Sequence, residues 1–309
     1  MSENALHSWL ARRLAGGGER VLVGAGADDC AHLDVRGLTQ IAVSVDTLVE
    51  GTHFRATDAP FAVGGKAGLS SLSDLAASGC RPLWGVVALT LRRGLGDAYA
   101  QEIMAGIIAA AETYHLAVVG GDTTSAESAT TVSVTVIGVP FGERPLCRRG
   151  AQAGDILVVT GELGGSLVGR HLCPVPRFAE IKQLLTLAPV HACLDISDGL
   201  ALDLHRLLAA SGVGAEIDES AVPLAAAARA MAAQSGKTPV AHALGDGEDF
   251  ELLFAVSASD WEKIARAWEH CGIATRLTPI GRVTAEKGAR LITAGGVKEL
   301  AAAGYEHRF

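Results

Sequence analysis

Aspartates in this chain recur where an apolar run ends or a helix is about to begin. Asp28 and Asp29 follow "VLVGAG", Asp46 closes "IAVSVD", Asp74 lies within "SLSDLAASG", Asp122 follows "LAVVGG", and Asp195 and Asp198 stand in "LDISDGL". Acids at the ends of rigid elements are partly desolvated and able to converge. Converging carboxylates repel one another and repel phosphate, whereas Mg2+ is a hard cation that binds a few carboxylates together with substrate phosphates. The set therefore points to a polyphosphate carried on several magnesium ions. Taken singly, each acid has a plainer reading: Asp29 as a turn residue, Asp198 as the N-cap of the helix after Gly199, Asp74 as a solvated position on a helix face. Together, in a chain with no Walker lysine, they favour metal.

The stretch "VGAGADDCAHLD" (23–34) shows the tension most clearly. Gly24 and Gly26 resemble a phosphate-cradling loop, yet two acids stand where such a loop offers amides or a lysine. Magnesium between Asp28, Asp29 and the phosphate removes the conflict, and the glycines then read as a tight turn off a strand. "GELGGS" (161–166) is also better read as tight turning than as a phosphate cradle. "GTHF" puts His53 in a polar loop just after Asp46, where it could contact substrate. No G-x-S-x-G elbow occurs, so a Ser/His/Asp hydrolase reading finds no support.

Composition narrows the partners. A formal charge of −8 argues against nucleic acid or an anionic membrane surface. The six cysteines are scattered without a C-x-x-C pair, as in a reducing compartment. The N-terminal stretch has no signal-type apolar region and no apolar run reaches about 18 residues, the length of a membrane span; these features predict a cytoplasmic protein.

The elements that must position the acids follow from periodicity. A short amphipathic helix is expected over 5–14 and strands over 41–46, 116–121 and 131–139, the last with Val132, Val134 and Val136 on one face. Helices are expected over 64–79 and 97–114. The Pro-, Gly- and charge-rich stretch 140–155 marks a domain boundary. Beyond it come a strand over 155–161, a helix from about Ser166, a helix before Pro189, the segment "DISDGLALDLHRLLAASG" with its helix after Gly199, a strand over 250–256, a helix over 258–272 and a short strand near 289–293. Two α+β or α/β domains result.

Seven segments taken in order resemble one family. "GAGADDCAHL", "SVDTLVEGTHF", "KAGLSSLSDLAASGCRPLW", "VVGGDTT", "RRGAQAGDILVVTGELG", "LDISDGL" and "GDGEDFELLF" are similar to thiamine-monophosphate kinases, within the wider aminoimidazole-ribonucleotide synthetase-like ATP-binding superfamily. The similarity runs from about residue 20 to the C-terminus. It implies an N-terminal ATP- and Mg-binding domain over 1–142 that pairs with a dimer mate through a joint β-barrel. It also implies a C-terminal α/β domain over 143–309 that completes the substrate and nucleotide site. The implied reaction is Mg-dependent transfer of the ATP γ-phosphate to thiamine monophosphate, giving thiamine diphosphate and ADP in line and without a protein general base. Carried over by motif, Asp29, Asp46, Asp74, Asp122, Asp195 and Asp198 resemble the family's magnesium ligands, with Asp28 and Ser44 as further candidates. Gly121, Asp122, Arg148 and Ser197 contact ATP, while His53, Glu248 and Tyr305 contact the substrate. Transfer is supported by Asp46, Asp122 and Arg148.

The chain departs from the family pattern in places. Val45 stands where Thr is common, Asp246 where Gly is usual, and "EHRF" carries an extra Arg308; Tyr305 is the candidate for the aromatic expected to pack on thiamine. Alternatives are another ATP-dependent enzyme of the superfamily, of the hydrogenase-maturation or aminoimidazole-ribonucleotide synthetase type, and a non-catalytic nucleotide-binding regulator. The first expects a reactive C-terminal cysteine, whereas this chain ends "GYEHRF".

Overall fold

The computed structural model describes residues 9–10, 12–14, 18–23 and 31–307. The chain divides into two units, one of Met1–Leu75 and Cys80–Pro140, the other of Ala76–Gly79 and Phe141–Phe309.

The first unit runs β1 (Val21–Val23), β2 (His32–Leu33), β3 (Ala42–Val49), α1 (Pro60–Ala77), β4 (Cys80–Arg92), α2 (Gly96–Thr113), β5 (Ala117–Ala126) and β6 (Thr131–Pro140). The last four strands to be paired form one sheet in the order β3-β6-β4-β5, antiparallel except for β4 with β5. Alternation in β6 does what the sequence predicts: Val132, Val134 and Val136 are buried at 0–1% exposure, while Thr131, Ser133 and Thr135 face the other way. Across the strand pair Thr47 and Ser133 share a hydrogen bond of 2.7 Å on that second face. The two helices lie close together because glycine lets them: a Cβ on Gly64 would sit 1.9 Å from the Ile103 carbonyl, and one on Gly106 would sit 2.0 Å from that of Phe61. Near one end the β1–β2 ribbon covers Leu83, Trp84 and Val119 with Val21, Leu33 and Leu38. Elsewhere the second face is open: Ile41, Val43 and Val45 are 50%, 60% and 58% exposed.

The second unit holds a seven-stranded mixed sheet. In chain order its elements are β7 (Ile156–Thr160), α3 (Phe178–Leu187), β8 (Ala192–Asp195), α4 (Leu200–Ser211), β9 (Gly214–Asp218), α5 (Ala226–Ser235), α6 (Pro239–Gly245), β10 (Leu252–Val256), α7 (Ala258–Trp268), β11 (Leu277–Thr284), β12 (Gly288–Thr293) and β13 (Gly296–Glu299). The strand order is β13-β12-β9-β11-β7-β10-β8. The runs "ILVV" and "LLFAV" are apolar throughout because β7 and β10 are buried on both faces. One face packs Leu157, Val159 and Leu253 against α4, the other packs Val158, Phe254 and Val256 against α3 and α7.

Three points of the sequence reading need correction. Asp46 and Asp122 lie inside β3 and β5 and not at strand ends, and Asp74 lies late in α1, because both strands run on past the residues where their apolar runs stop. In place of an α-helix from Ser166 there are two short 3₁₀ turns, Ser166–Val168 and Arg170–Leu172, separated by Gly169 at φ 137°, a backbone no helix adopts. Strands β9 and β11 escape pattern reading: "GAEID" is short and polar, and "LTPIGRVT" carries a Pro and a Gly at a register break. Among the described residues no helix is long and apolar enough to cross a membrane.

Candidate functional site

In the first unit β3 offers its functional residues by parity. Ser44, Asp46 and Leu48 point toward the helix-covered face, with Asp46 in register with buried Val134. Ser44 Oγ donates to Asp74 Oδ2, which α1 brings to the same face. Three oxygen-bearing side chains therefore gather around the β3–α1 contact. Val45, the departure from Thr, faces the opposite, open side, so its lack of a hydroxyl leaves the Ser44/Asp46 face unchanged. Past β3 the chain turns sharply. Gly51 N–H donates to Phe54 O at 2.8 Å, and Val49 N–H donates to His53 Nδ1 at 3.0 Å. That bond leaves Nδ1 as an acceptor, so a neutral His53 carries its proton on Nε2. Beneath the turn lies Lys66 of α1, fully buried at 0% exposure, its Nζ donating to His53 O at 2.7 Å.

Asp122 is placed differently. It registers with Ala88, which registers with Ser133, so it lies on the open face of the sheet and on the strand farthest from β3. Two strands intervene, about 14 Å at the usual strand spacing. Within one chain Asp46 and Asp122 do not converge. Gly121, beside it, abuts the Val87 carbonyl so closely that a Cβ would stand 2.1 Å away. Among the described residues no group of three or more His, Cys, Asp or Glu gathers as a metal cluster. Asp28 and Asp29 lie outside the described residues, as does Arg308.

The second unit collects its candidates around the end of β8. Asp195 is buried there at 5% exposure. The Ser197 carbonyl accepts Glu248 N–H at 2.7 Å, and the Asp198 carbonyl accepts Tyr305 N–H at 2.9 Å. Ser197, Asp198, Glu248 and Tyr305 are thus brought together through backbone bonds that sequence reading cannot see. The Asp198 carboxylate is held by Arg206 at 2.6 Å, and Arg206 also grips Asp203, which burial pushes above the usual carboxylate range. Glu248 meets His171 Nδ1 at 3.1 Å. Arg148 is exposed on the connecting loop, and its guanidinium has no hydrogen-bond or ion-pair partner among the described residues.

The loop carrying Glu248 is strained and anchored. Glu248 and Phe250 both have positive φ, 55° and 52°, a conformation costing about 1 kcal/mol or more for residues with a Cβ. Asp249 between them is fully enclosed, accepting from Gly164 N–H, the Ser166 hydroxyl and Arg170. Burial pushes its pKa up to about 6 despite those donors. Two residues on, Glu251 pairs with Arg177, Nε to Oε2 2.7 Å, and accepts from Thr160. None of these supports was expected from the sequence; the only signal is the cluster of three acids in "GEDFE". The departure at Asp246 is absorbed easily: its φ is −76°, its carboxylate accepts from His242 Nδ1 at 2.7 Å, and Gly247 supplies the positive φ. His242 Nε2 also meets Ser235 Oγ at 2.7 Å. This serine–histidine–aspartate chain is a structural tie, because Ser235 ends a helix and its Oγ accepts Lys237 N–H. "GELGGS" is a turn packed onto α5 and α6: Cβ atoms on Gly164 and Gly165 would meet Ala243 N and Ala228 N at 2.7 and 2.5 Å.

Comparison with known proteins agrees along the whole chain. The family described as "AIR synthase related protein, N-terminal domain" matches residues 27–140, and the corresponding C-terminal domain matches 152–294. A thiamine-monophosphate kinase of Rhodopirellula baltica is 40% identical over 278 residues, covering 87% of this chain and 85% of that one. A thiamine-monophosphate kinase crystal structure from Stenotrophomonas maltophilia superposes with TM-score 0.79 at 32% identity, over 94% of this chain and 96% of the other. A structure described as AaThiL complexed with AMPPCP and TMP gives TM-score 0.77 at 30% identity, over 99% and 97%. With both domains matched and this degree of identity sustained across them, the chain belongs to the thiamine-monophosphate kinase family.

Proposed function

We propose that the chain transfers the γ-phosphate of ATP to thiamine monophosphate, releasing thiamine diphosphate and ADP. The observation that carries this reading is its likeness, over 99% of its length, to a protein complexed with AMPPCP and TMP. The attacking group is a phosphate oxygen, already anionic at neutral pH, so no side chain need remove a proton. The work is to hold two anions in line while charge is neutralised. The donors at the β3–α1 contact are hard oxygens, Ser44, Asp46 and Asp74, which suit Mg2+ and not a soft metal; Asp28, Asp29, Asp122, Asp195 and Asp198 complete the proposed set. Bound magnesium would supply the positive charge that lets carboxylates and phosphates share a site. Arg148 would add a guanidinium to the ATP phosphates, with Gly121 and Ser197 contacting the nucleotide. His53, Glu248 and Tyr305 would contact the thiamine substrate. Glu248 is suited to this by its fixed loop, and Tyr305 by its exposure of 44%.

We further infer a homodimer formed through the open face of the first sheet, closing a barrel with the mate. Ile41, Val43 and Val45 are exposed there beside the edge strand β3, and a row of apolar side chains on an open sheet face marks an interaction surface. The proposed compartment is the cytoplasm, which supplies ATP and keeps thiols such as the five described free cysteines reduced.

The deciding experiment measures ADP release with Mg-ATP and thiamine monophosphate, thiamine, or an aminoimidazole ribonucleotide as acceptor. Turnover is expected with the first alone. Turnover with the aminoimidazole substrate would favour a different enzyme of the superfamily, and nucleotide binding without ADP release would favour a regulator.

A further inference from the structure

The second unit contains a cavity of about 760 Å³ between the end of β7, the start of β10 and the start of β11. A volume in this range suits a small-molecule ligand. None of the residues assigned above to magnesium, ATP or thiamine phosphate lines it. Four arginines do, Arg170, Arg177, Arg229 and Arg276, against two acids, Glu162 and Glu251. In a chain of net charge −8 this local excess of positive charge is against the trend.

Two of the four guanidinium groups are already engaged. Arg177 is held by Glu251 and Glu180, and Arg170 by Asp249 and Ser166. Arg229, near the start of α5, and Arg276, just before β11, are different. Both are exposed, and among the described residues neither guanidinium has an ion-pair or hydrogen-bond partner. Glu251 is spent on Arg177, so no carboxylate in the lining competes for them except Glu162. Thr275, Ser220 and Thr278 also line the cavity, though the Thr275 hydroxyl donates to Glu180 and the Ser220 hydroxyl to Asp218, so the free donors in the lining are the two guanidinium groups. Thr278 is buried at 5% exposure and contributes to the wall of the cavity, its hydroxyl enclosed by protein.

Free guanidinium forks recognise phosphate oxygens, bidentately and without metal. We propose that this cavity is a second anion site, which takes a phosphorylated small molecule or pyrophosphate on Arg229 and Arg276 and does so independently of magnesium. The proposed transfer site works the other way, since its acids repel phosphate unless metal intervenes. The inference does not depend on the transfer reaction.

The test is calorimetric titration of the full chain with inorganic pyrophosphate in EDTA at low salt, where the acid-lined groups are left without metal. The wild-type chain is expected to bind one pyrophosphate. An R229A/R276A double variant should bind at least about tenfold more weakly. Because both side chains are exposed, the variant should keep its melting temperature, its ADP release and its KM for both substrates. No binding by the wild-type chain in EDTA would overturn the proposal. So would equal binding by the double variant. A large rise in KM for ATP or thiamine monophosphate in the double variant would also overturn it, by making the cavity part of the transfer site. Should the chain release no ADP with any acceptor, the titration would still read the cavity, so the two failures are separable.

Discussion

Replacing Val43 and Val45 by lysine should dissociate the proposed dimer without unfolding the chain. Ile41, Val43 and Val45 keep 50%, 60% and 58% of their surface exposed. Complete burial of such a side chain contributes about 1.5–3 kcal/mol, so covering the remaining half contributes about 1 kcal/mol each. A two-fold interface counts every residue twice, and the two valines then carry about 4 kcal/mol of dimer stability. At about 1.4 kcal/mol per decade, V43K/V45K weakens association about a thousandfold before the repulsion of four ammonium groups is included. Neither valine faces α1 or α2, so the fold of the unit should persist. The assay is sedimentation velocity at about 10 µM, a concentration at which a dimer of micromolar affinity or better is largely assembled, paired with far-UV circular dichroism. The wild-type chain should sediment as a dimer and the variant as a monomer with an unchanged spectrum. A double variant that remains dimeric would show that this face is not the interface, and a wild-type chain that is monomeric would remove the dimer itself. Asp122 lies on the same face, so the monomeric variant should also lose ADP release.

Asp46→Asn and Asp122→Asn are each expected to lower kcat by about a thousandfold or more, near 4 kcal/mol of transition-state stabilisation, with melting temperatures close to wild type. EDTA should stop turnover and added Mg2+ restore it; near-normal activity in either variant, or in chelator, would refute the metal assignment. A separate prediction concerns pH. The Asp249 carboxyl is raised from 3.8 to about 6 in the fold, so the folded state holds a proton that the unfolded state releases between those values. The stability this contributes is complete below pH about 3.8 and is lost as pH rises through about 6, up to about 3 kcal/mol. Urea melts across that window should show a smaller decline in Asp249→Asn than in the wild-type chain, and equal slopes would contradict it.

Much of the local structure around the candidate residues was legible in the chain because local signals carry it. The period of a strand can be read directly, as β6 shows with its buried Val132, Val134 and Val136, whereas strand length cannot: Asp195 ends β8, but Asp46 and Asp122 lie inside β3 and β5. The turn at "GELGGS", the loop after Asp46 and the break past residue 140 follow from glycine and proline chemistry. What escaped lacks a local signal. Strands β9 and β11 are short, polar or interrupted, and are stabilised by the neighbours they pair with. The supports of the Glu248 loop come from distant positions, with Gly164, Ser166 and Arg170 lying about 80 residues from Asp249 in sequence.

By itself the sequence determined which side chains share a face of a strand and which residues could turn. Tertiary structure alone decided who their neighbours are. Parity places Ser44 with Asp46, but only the strand order puts Asp122 on the other face and two strands away. Proximity within "LDISDGL" is local, whereas the backbone bonds that draw Glu248 and Tyr305 to Ser197 and Asp198 close loops of about 50 and 110 residues. The physical reason is the short range of the forces read from sequence: dihedral preference and periodicity act over a few residues, while strand pairing and buried hydrogen bonds are satisfied by whatever part of the chain the fold brings near.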